Sequence, residues 1–126
     1  AFGRRVALWH SRMTRNEKGW TWQQLKKGEY SILIGARSAI FAPLENLGLI
    51  IVDEEQEASY KQENPVPRYH ARDVAMVRGK HAGAIVLLTS ATPSLESYYN
   101  ALQKKFTLLK LKKRFGQSGL EEKVQR

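Results

Sequence analysis

Short hydrophobic runs alternate with longer polar stretches along most of this chain. The hydrophobic runs cover residues 6–9, 30–34, 47–52 and 84–88, and each is bounded by polar residues or glycine. Runs of this length, rich in β-branched side chains, predict buried strands. Residues 15–27, 71–81 and 95–103 have the composition and start signals of helices. This alternation predicts an α/β fold, with a parallel sheet and helices on both of its faces.

The first helix has recognisable signals at both ends. Thr14 is a candidate N-cap with Glu17 three residues later, which is the spacing of a capping box, and Gly28 is a natural stop. The two nearby tryptophans have two interpretations, stacking on nucleobases or packing on the sheet, and packing is favoured. The side chains predicted to face inward are Trp20, Trp22 and Leu25.

The second helix is predicted to end at Gly83, with apolar and basic residues on different faces. The residues predicted to face the core are Val74, Ala75 and Val77. The residues predicted to face outward are Arg72, Arg78 and Lys80.

Three segments outside these elements complete the predicted organisation. Residues 57–69 contain two prolines and no regular period, which predicts a loop of the length that usually carries function. Residues 106–111 alternate enough to predict a last strand. We expect residues 1–112 to form one domain and residues 113–126 to be a linker or a frayed tail. The basic run at 110–114 is interpreted as part of that solvated tail, with DNA contact as the alternative.

The hydrophobic run at 47–52 ends in three consecutive carboxylates, Asp53, Glu54 and Glu55. A run this apolar predicts a strand that is covered on both faces. Open α/β sheets bind their ligands just beyond the carboxyl ends of the strands. An Asp at that place can hold Mg²⁺ through water, and a neighbouring Glu can orient the water that attacks a phosphate. The alternative is that these carboxylates only end the strand with solvated charge.

The run at 84–88 also ends in polar residues, here hydroxyls and small side chains at 89–92. Such hydroxyls can bond the acidic cluster or a phosphate. A second interpretation is that Thr92 and Ser94 start the following helix, because Pro93 suits its first turn. The two interpretations are compatible.

Composition indicates a globular protein with a polyanionic partner. The chain has 126 residues, 21 basic against 12 acidic, and a formal net charge of +9. That excess is typical of a protein that binds nucleic acid. No hydrophobic run approaches the roughly 18 residues of a membrane span, and there is no cysteine for a disulfide or a thiolate metal site. We therefore expect no membrane association and a reducing, cytoplasmic location.

Four motifs occur in a characteristic order: GARSAIFAP at 35–43, IIVDEEQEASYKQE at 50–63, RYHARDVAMVR at 68–78 and LLTSATPSLESYYNA at 87–101. Together they resemble the first motor domain of the primosomal protein N′ family, the bacterial replication-restart DNA helicases of superfamily 2. The resemblance runs from about residue 6 to residue 114. It implies a partial RecA-like (P-loop NTPase) parallel sheet with flanking helices.

The resemblance also implies roles for individual residues of the nucleotide site. Asp53 would hold Mg²⁺ through water and Glu54 would act on the hydrolytic water of ATP. Gln56 lies where the family usually has a His, so hydrogen bonding is kept while a charged imidazole is lost. The segment expected to couple hydrolysis to strand separation comprises Ser90, Ala91 and Thr92.

DNA contacts are implied for two further segments. In the first, Arg37 and Ser38 are expected to contact the DNA backbone, and Ala36 replaces the family's usual Thr. The second is an aromatic-rich loop expected to signal bound single-stranded DNA to the ATP site. Its candidate residues are Tyr60, Lys61, Arg68, Tyr69, His70 and Arg72.

The family has features that this sequence lacks. No glycine-rich phosphate loop of the form GxxxxGK[ST], the Walker A motif, occurs in it. A second RecA-like domain and a zinc site are expected elsewhere in a longer parent. We therefore expect this segment alone to be inactive and, with the Walker A strand missing from its sheet, to self-associate.

The whole parent is expected to be an ATP-dependent helicase that unwinds DNA 3′ to 5′, binds forked and single-stranded DNA, and works with primosome and single-strand-binding proteins. Two alternatives remain at this point. One is a non-catalytic basic module that binds nucleic acid, and the other is a different superfamily 2 DNA translocase.

Overall fold

The computed structural model describes residues 5–112 and has an α/β architecture with three helices. The strands are β1 (Val6–Trp9), β2 (Ile32–Gly35), β3 (Leu49–Val52), β4 (Lys61–Gln62), β5 (Tyr69–His70) and β6 (Ile85–Leu88). The helices are α1 (Arg15–Lys26), α2 (Ala71–Ala82) and α3 (Leu95–Leu102), with 3₁₀ turns at Arg37–Phe41 and Ala58–Tyr60. The chain divides into two compact units, one ending at Ser94 and one beginning at Leu95.

The first parallel pair joins β1 to β2, with Val6 opposite Ile32 and Trp9 opposite Gly35. Helix α1 covers one side of this pair, and Leu25 of α1 lies fully buried against Ala7. The predicted capping box is confirmed: Thr14 and Glu17 exchange the two expected hydrogen bonds. Trp22 packs against this core as predicted, whereas Trp20 is 58% exposed and meets Tyr30 edge to face.

The second parallel pair joins β3 to β6, with Leu49 opposite Ile85 and Val52 opposite Leu88. Helix α2 packs against both strands, and its fully buried Ala75 forms a core cluster with Ile50 and Val52 of β3. A Cβ added at Gly79 would overlap Cγ2 of Val86, so the absence of a side chain there allows the helix to approach β6 closely.

The predicted parallel pairing is confirmed, but the described strands do not form one sheet covered on both faces. Within 5–112 the strands form three separate two-stranded sheets: β1–β2, β3–β6 and the antiparallel β4–β5. Alternate residues of β3 and β6 are also exposed, because the described elements that pack on this pair lie on its other side. The exposed aliphatic residues of these two strands are Leu49, Ile51, Ile85 and Leu87.

Helix α2 differs from the prediction most clearly at two positions, and Arg78, predicted to face outward, is half-buried. Val77 is 57% exposed rather than inward, and Arg72 is buried rather than outward. Arg72, Ala75 and Gly79 are all buried and follow the three-and-four spacing of one helical face. Gly83 ends the helix in the left-handed conformation, with φ of 66°, as its position predicted.

The guanidinium of Arg78 reaches from α2 to the 3₁₀ turn before β3. It donates hydrogen bonds to the carbonyl of Ile40 and, at 2.6 Å, to that of Ala42. Burial lowers the pKa of Arg78 from its ordinary value. This half-buried arginine therefore satisfies carbonyls at the end of the turn.

The segment at 57–69 is more regular than the predicted loop. A 3₁₀ turn at Ala58–Tyr60 leads into β4, which pairs antiparallel with β5. The Gln62 amide donates to the carbonyls of Pro65 and Pro67, at 2.9 and 3.0 Å, across the connection between these strands. The Gln62 side chain thus stabilises a connection whose two strands pair at only two positions.

The second unit contains α3, which starts after Pro93 as predicted. The strand predicted at 106–111 is wrong, since those residues adopt no regular secondary structure. The predicted tail at 113–126 lies outside the described residues. Within 5–112, no helix has the length and hydrophobicity that crossing a membrane requires.

Candidate active site

The register of β3 and β6 brings two polar strand ends together. Val52 lies opposite Leu88, so Asp53 and Thr89 leave the sheet side by side. The Thr89 backbone N–H donates to the carbonyl of Val52 at 2.9 Å, and the Thr89 carbonyl accepts from the N–H of Glu55 at 3.0 Å. The Thr89 hydroxyl donates to Oδ1 of Asp53 at 2.6 Å. The expected contact between the hydroxyl segment and the acidic cluster is therefore present.

Asp53 has the geometry of a single carboxylate ligand for a hydrated metal ion. Both hydrogen bonds recorded to its side chain, from Thr89 and from the Glu54 N–H, end on Oδ1. The side chain is exposed, so Oδ2 can meet a metal-bound water. No group of three or more potential ligands is present among residues 5–112. A single exposed carboxylate could hold Mg²⁺, which usually takes one or two carboxylates together with waters and substrate phosphates.

Tyr60 contacts the same residue from the 3₁₀ turn. Its hydroxyl donates to the backbone carbonyl of Asp53 at 2.7 Å. Burial raises the pKa of the Tyr60 hydroxyl above its ordinary value, and the negative charges of Asp53 and Glu57 raise it further. Tyr60 therefore stays a neutral donor beside the acidic cluster at physiological pH.

Glu54 adopts a left-handed backbone conformation, with φ of 48°, which is uncommon for a residue with a Cβ. Its Oε2 accepts from the Gln56 amide at 2.8 Å. The other end of that amide, Oε1, accepts from the Ser90 hydroxyl at 2.5 Å, and Ser90 Oγ in turn accepts from the Thr92 N–H. Gln56 thus bridges the acidic segment and the segment that follows β6. Ala91 lies exposed inside that second segment.

Sequence reasoning missed the most buried carboxylate of the cluster. Glu55 is only 2% exposed, and its Oε2 lies 3.3 Å from Nη1 of Arg72. Three consecutive acids suggest solvated charge, so the acidic run gave no hint of this pair. The available signal was on α2, where Arg72 has helical spacing with two small residues of the buried face.

Arg37 is engaged with the protein backbone. Its Nη1 donates to the carbonyl of Ser59 at 2.9 Å and to that of Lys61 at 3.2 Å. The neighbouring Ser38 hydroxyl accepts from the Trp9 indole at 3.0 Å. Gly35 also lies against Trp9, because a Cβ added to Gly35 would overlap the carbonyl oxygen and the Cβ of Trp9. The segment 35–38 thus connects the end of β1 to the 3₁₀ turn beside Asp53.

The remaining aromatic and basic residues of the loop have different environments. Tyr69 packs edge to face on Phe41, with ring centroids 4.9 Å apart. Nδ1 of His70 accepts from the Arg72 N–H and so caps α2. Lys61 forms an exposed ion pair with Glu63, and Arg68 is exposed.

The amino-acid sequence of the chain is also similar to those of known proteins. The chain is 55% identical over 113 residues to "Replication restart protein PriA" of Chlamydia muridarum, and the match covers 90% of this chain. It is 52% identical over 113 residues to the protein of that name from Bacillus subtilis, again over 90% of the chain. The protein of that name from Haemophilus influenzae is 44% identical over 117 residues, covering 93% of the chain. The chain belongs to the PriA family.

These PriA relatives are much longer than the chain. The matches cover 15%, 14% and 16% of the Chlamydia, Bacillus and Haemophilus proteins respectively. No protein-family model matches the chain. The resemblance to a replication-restart family, inferred from the four motifs, is confirmed for the segment that this chain represents.

Proposed function

We propose that this chain is part of the ATP-hydrolysing motor of a DNA helicase that restarts replication. The observation that carries the proposal is the contact between the two strand ends, where Thr89 orients the carboxylate of Asp53. Carboxylates and hydroxyls that meet beyond the carboxyl ends of parallel strands have the position of a ligand site in open α/β folds. The family's name, replication restart protein, supports the same process.

At the nucleotide, the chain's residues would divide the work. Asp53 would hold Mg²⁺ through water by Oδ2, while Thr89 keeps the carboxylate in place. Bound Mg²⁺ supplies charge neutralisation on the phosphate oxygens of ATP. Glu54 would orient the attacking water, and its bond to Gln56 fixes the direction of its carboxylate. Ser90, at the far end of the bridge and itself in the segment after β6, would couple that segment to the state of the site.

The proposed fold of the parent is a RecA-like sheet, of which this chain supplies only some strands. The β3–β6 and β1–β2 pairs have the parallel pairing that such a sheet requires. The phosphate loop and its strand would come from elsewhere in the parent, as would a second motor domain and a zinc site. We propose that this chain alone does not hydrolyse ATP.

DNA is the proposed partner, and forked and single-stranded forms are its expected substrates. Positive charge supports this, because the chain has a formal net charge of +9. Arg72 differs from the other candidate contacts, since its guanidinium is buried in an ion pair. The proposed DNA-contacting residues are Arg37, Ser38, Tyr60, Lys61, Arg68, Tyr69 and His70. Unwinding 3′ to 5′, loading of the primosome and contact with single-strand-binding proteins in the bacterial cytoplasm complete the proposal.

The test is Glu54→Gln in the full-length polypeptide that we propose carries this chain. The change keeps the shape of the side chain and removes its charge, so ATPase and unwinding should be lost while DNA binding is kept. Glu45→Gln is the matched control, because Glu45 is exposed and lies outside the site. Unchanged ATPase in Glu54→Gln would leave a non-catalytic module that binds nucleic acid. If Glu54→Gln abolishes ATPase but the wild-type polypeptide shows no preference for forked DNA, the result would favour another superfamily 2 translocase.

Self-association of this chain alone is a separate proposal. Four aliphatic side chains, Leu49, Ile51, Ile85 and Leu87, are between 38% and 70% exposed on one side of β3–β6. A second copy could cover them. Sedimentation velocity across a range of concentrations should reveal dimers or larger species, and a monomer at every concentration would contradict this.

A further inference from the structure

A buried ion pair lies next to the two proposed catalytic carboxylates. Glu55 and Arg72 are 2% and 7% exposed, and Oε2 of Glu55 lies 3.3 Å from Nη1 of Arg72. Burying two charges is unfavourable unless their geometry and hydrogen bonds compensate for lost water. Neither residue has a part in the function proposed above, so the pair calls for an explanation of its own.

Ser94 connects this pair to a third segment of the chain. Its N–H donates to Oε1 of Glu55 at 2.6 Å, and its hydroxyl donates to Oε2 at 3.1 Å. Nη1 of Arg72 also donates to the Ser94 hydroxyl oxygen at 3.1 Å. Both oxygens of the buried carboxylate therefore have partners. The cluster joins the turn after β3, the first turn of α2 and the segment after β6.

Glu54 lies between two fixed points of this turn. On one side, the carboxylate of Asp53 is held by the Thr89 hydroxyl. On the other, Glu55 is held through its N–H by the Thr89 carbonyl and through its side chain by Arg72. The φ of 48° at Glu54 costs free energy for a residue with a Cβ, so it persists only where its neighbours impose it.

We propose that Arg72 is a positioning residue that acts through Glu55 to hold Glu54 in this conformation. This inference rests on the function proposed above. It gives Arg72 a part in ATP hydrolysis rather than in DNA binding. With Glu55 fixed, the Glu54 carboxylate is directed to the amide of Gln56. Without the guanidinium, the buried Glu55 carboxylate loses this ion pair, leaves its site and releases the turn. Glu54, which we propose orients the attacking water, then no longer keeps this position.

The first test is Arg72→Gln in the full-length polypeptide, measured well below its melting temperature. We expect kcat for DNA-stimulated ATP hydrolysis to fall about 100-fold, the size of effect that a misplacement of about 1 Å can have on catalysis. KM for ATP and Kd for single-stranded DNA should stay as in the wild type. Lys80→Gln is the matched control, because Lys80 is an exposed cation on the same helix. Loss of DNA affinity with unchanged kcat would overturn the proposal.

Arg72→Lys provides a variant that keeps the buried positive charge and so has a better chance of folding. A lysine ammonium can replace Nη1, which donates to both Glu55 and Ser94, but it lacks the Nε–H that donates to Asp73. We expect an intermediate kcat, about 10-fold below the wild type, again with unchanged KM. A wild-type kcat in this variant and in Arg72→Gln would overturn the proposal.

The second test asks whether Arg72 acts through Glu54. Under the proposal, Glu54→Gln combined with Arg72→Gln turns over no more slowly than Glu54→Gln alone in single-turnover measurements, because the second change disturbs a group already lost. A merely structural role predicts a further loss of the size seen for Arg72→Gln by itself, which would overturn the proposal. If Glu54→Gln alone keeps full ATPase, the proposed function fails and this inference with it. If only the Arg72 variants are normal, this inference alone fails.

Discussion

The hydroxyl of Thr89 donates a 2.6 Å hydrogen bond to Oδ1 of Asp53, although 36 positions separate the two residues in the sequence. The contact follows from the parallel register, which puts Val52 opposite Leu88 and so makes their next residues neighbours. An uncharged donor just after one strand therefore orients an exposed carboxylate just after the other. This relationship leads to the first prediction.

Thr89→Val should weaken the use of Mg²⁺ by the full-length polypeptide. Valine keeps the branched shape and removes the donor to Asp53, and a hydrogen bond to a charged group contributes about 1.5 kcal/mol. We expect the Mg²⁺ concentration for half-maximal ATP hydrolysis to rise about 10-fold. The measurement is ATPase rate against Mg²⁺ concentration. Thr107→Val, an exposed residue outside the site, serves as control, and an unchanged Mg²⁺ dependence in Thr89→Val would contradict the prediction.

Gln56→Ala and Ser90→Ala should have the same effect, because each removes the bridge between the acidic segment and the segment after β6. The bond that both variants remove, from Ser90 to Gln56, joins neutral groups and contributes about 1 kcal/mol, so we expect stimulation of the ATPase by DNA to fall about 5-fold in each variant. The double variant should be no worse than either single change. Stimulation is measured as the ratio of rates with and without single-stranded DNA. Additive losses would mean that the two residues act separately, and Gln23→Ala on α1 is the control.

Tyr60→Phe should change how the stability of the chain depends on alkaline pH. The folded protein raises the pKa of Tyr60 above its ordinary value of about 10, so folding favours the protonated hydroxyl. That contribution is complete below about pH 10 and is lost as pH rises through the folded pKa. The wild type should therefore lose unfolding free energy over this window, and Tyr60→Phe should lose less.

The measurement for Tyr60 is urea unfolding at a series of pH values from neutral to alkaline. Near neutral pH, Tyr60→Phe should be about 1 kcal/mol less stable, because it lacks the donor to the Asp53 carbonyl. Tyr69→Phe keeps Tyr60 and should retain the alkaline loss. Parallel pH curves for wild type and Tyr60→Phe would show that this hydroxyl does not titrate differently in the folded state.

Two glycine-to-alanine changes in helices should have opposite signs. Gly79→Ala puts a methyl group into Cγ2 of Val86, a β-branched side chain with little freedom to rotate away, so we expect a loss of about 1–3 kcal/mol. An added Cβ at Gly19 in α1 meets no atom within 4 Å. Gly19→Ala should therefore gain about 1 kcal/mol from helix propensity. Chemical unfolding of the two variants is the measurement, and equal effects would mean that α2 does not approach β6 as described.

Local signals in the sequence predicted the ends of elements well. The capping box of Thr14 and Glu17 and the stop at Gly83 depend on residues within one helical turn, so nearby residues suffice to predict them. The strands β3 and β6 were also predicted within two residues. Which faces of these strands are buried was not predicted correctly. An apolar run such as 47–52 specifies strand formation but not which distant elements pack on it.

The candidate site could be predicted in part for the same reason. Asp53 and Thr89 lie together because β3 and β6 pair in parallel, and the alternation of hydrophobic and polar segments indicated parallel pairing. Burial of Glu55 depends on an arginine 17 positions away and on Ser94, 39 positions away, and no property of the acidic run points to either. Only the helical spacing of Arg72 with Ala75 gave a sign of that partnership.

The engagement of Arg37 determines the direction from which a phosphate can reach it. An arginine has five N–H donors in a fixed plane, and Nη1 of Arg37 already gives its pair to the carbonyls of Ser59 and Lys61. A nucleic-acid strand that keeps this turn intact must therefore approach the opposite edge of the guanidinium, formed by Nε and Nη2. A strand arriving from the other edge would first have to pull the Ser59–Lys61 peptide groups away, and Tyr60 with them.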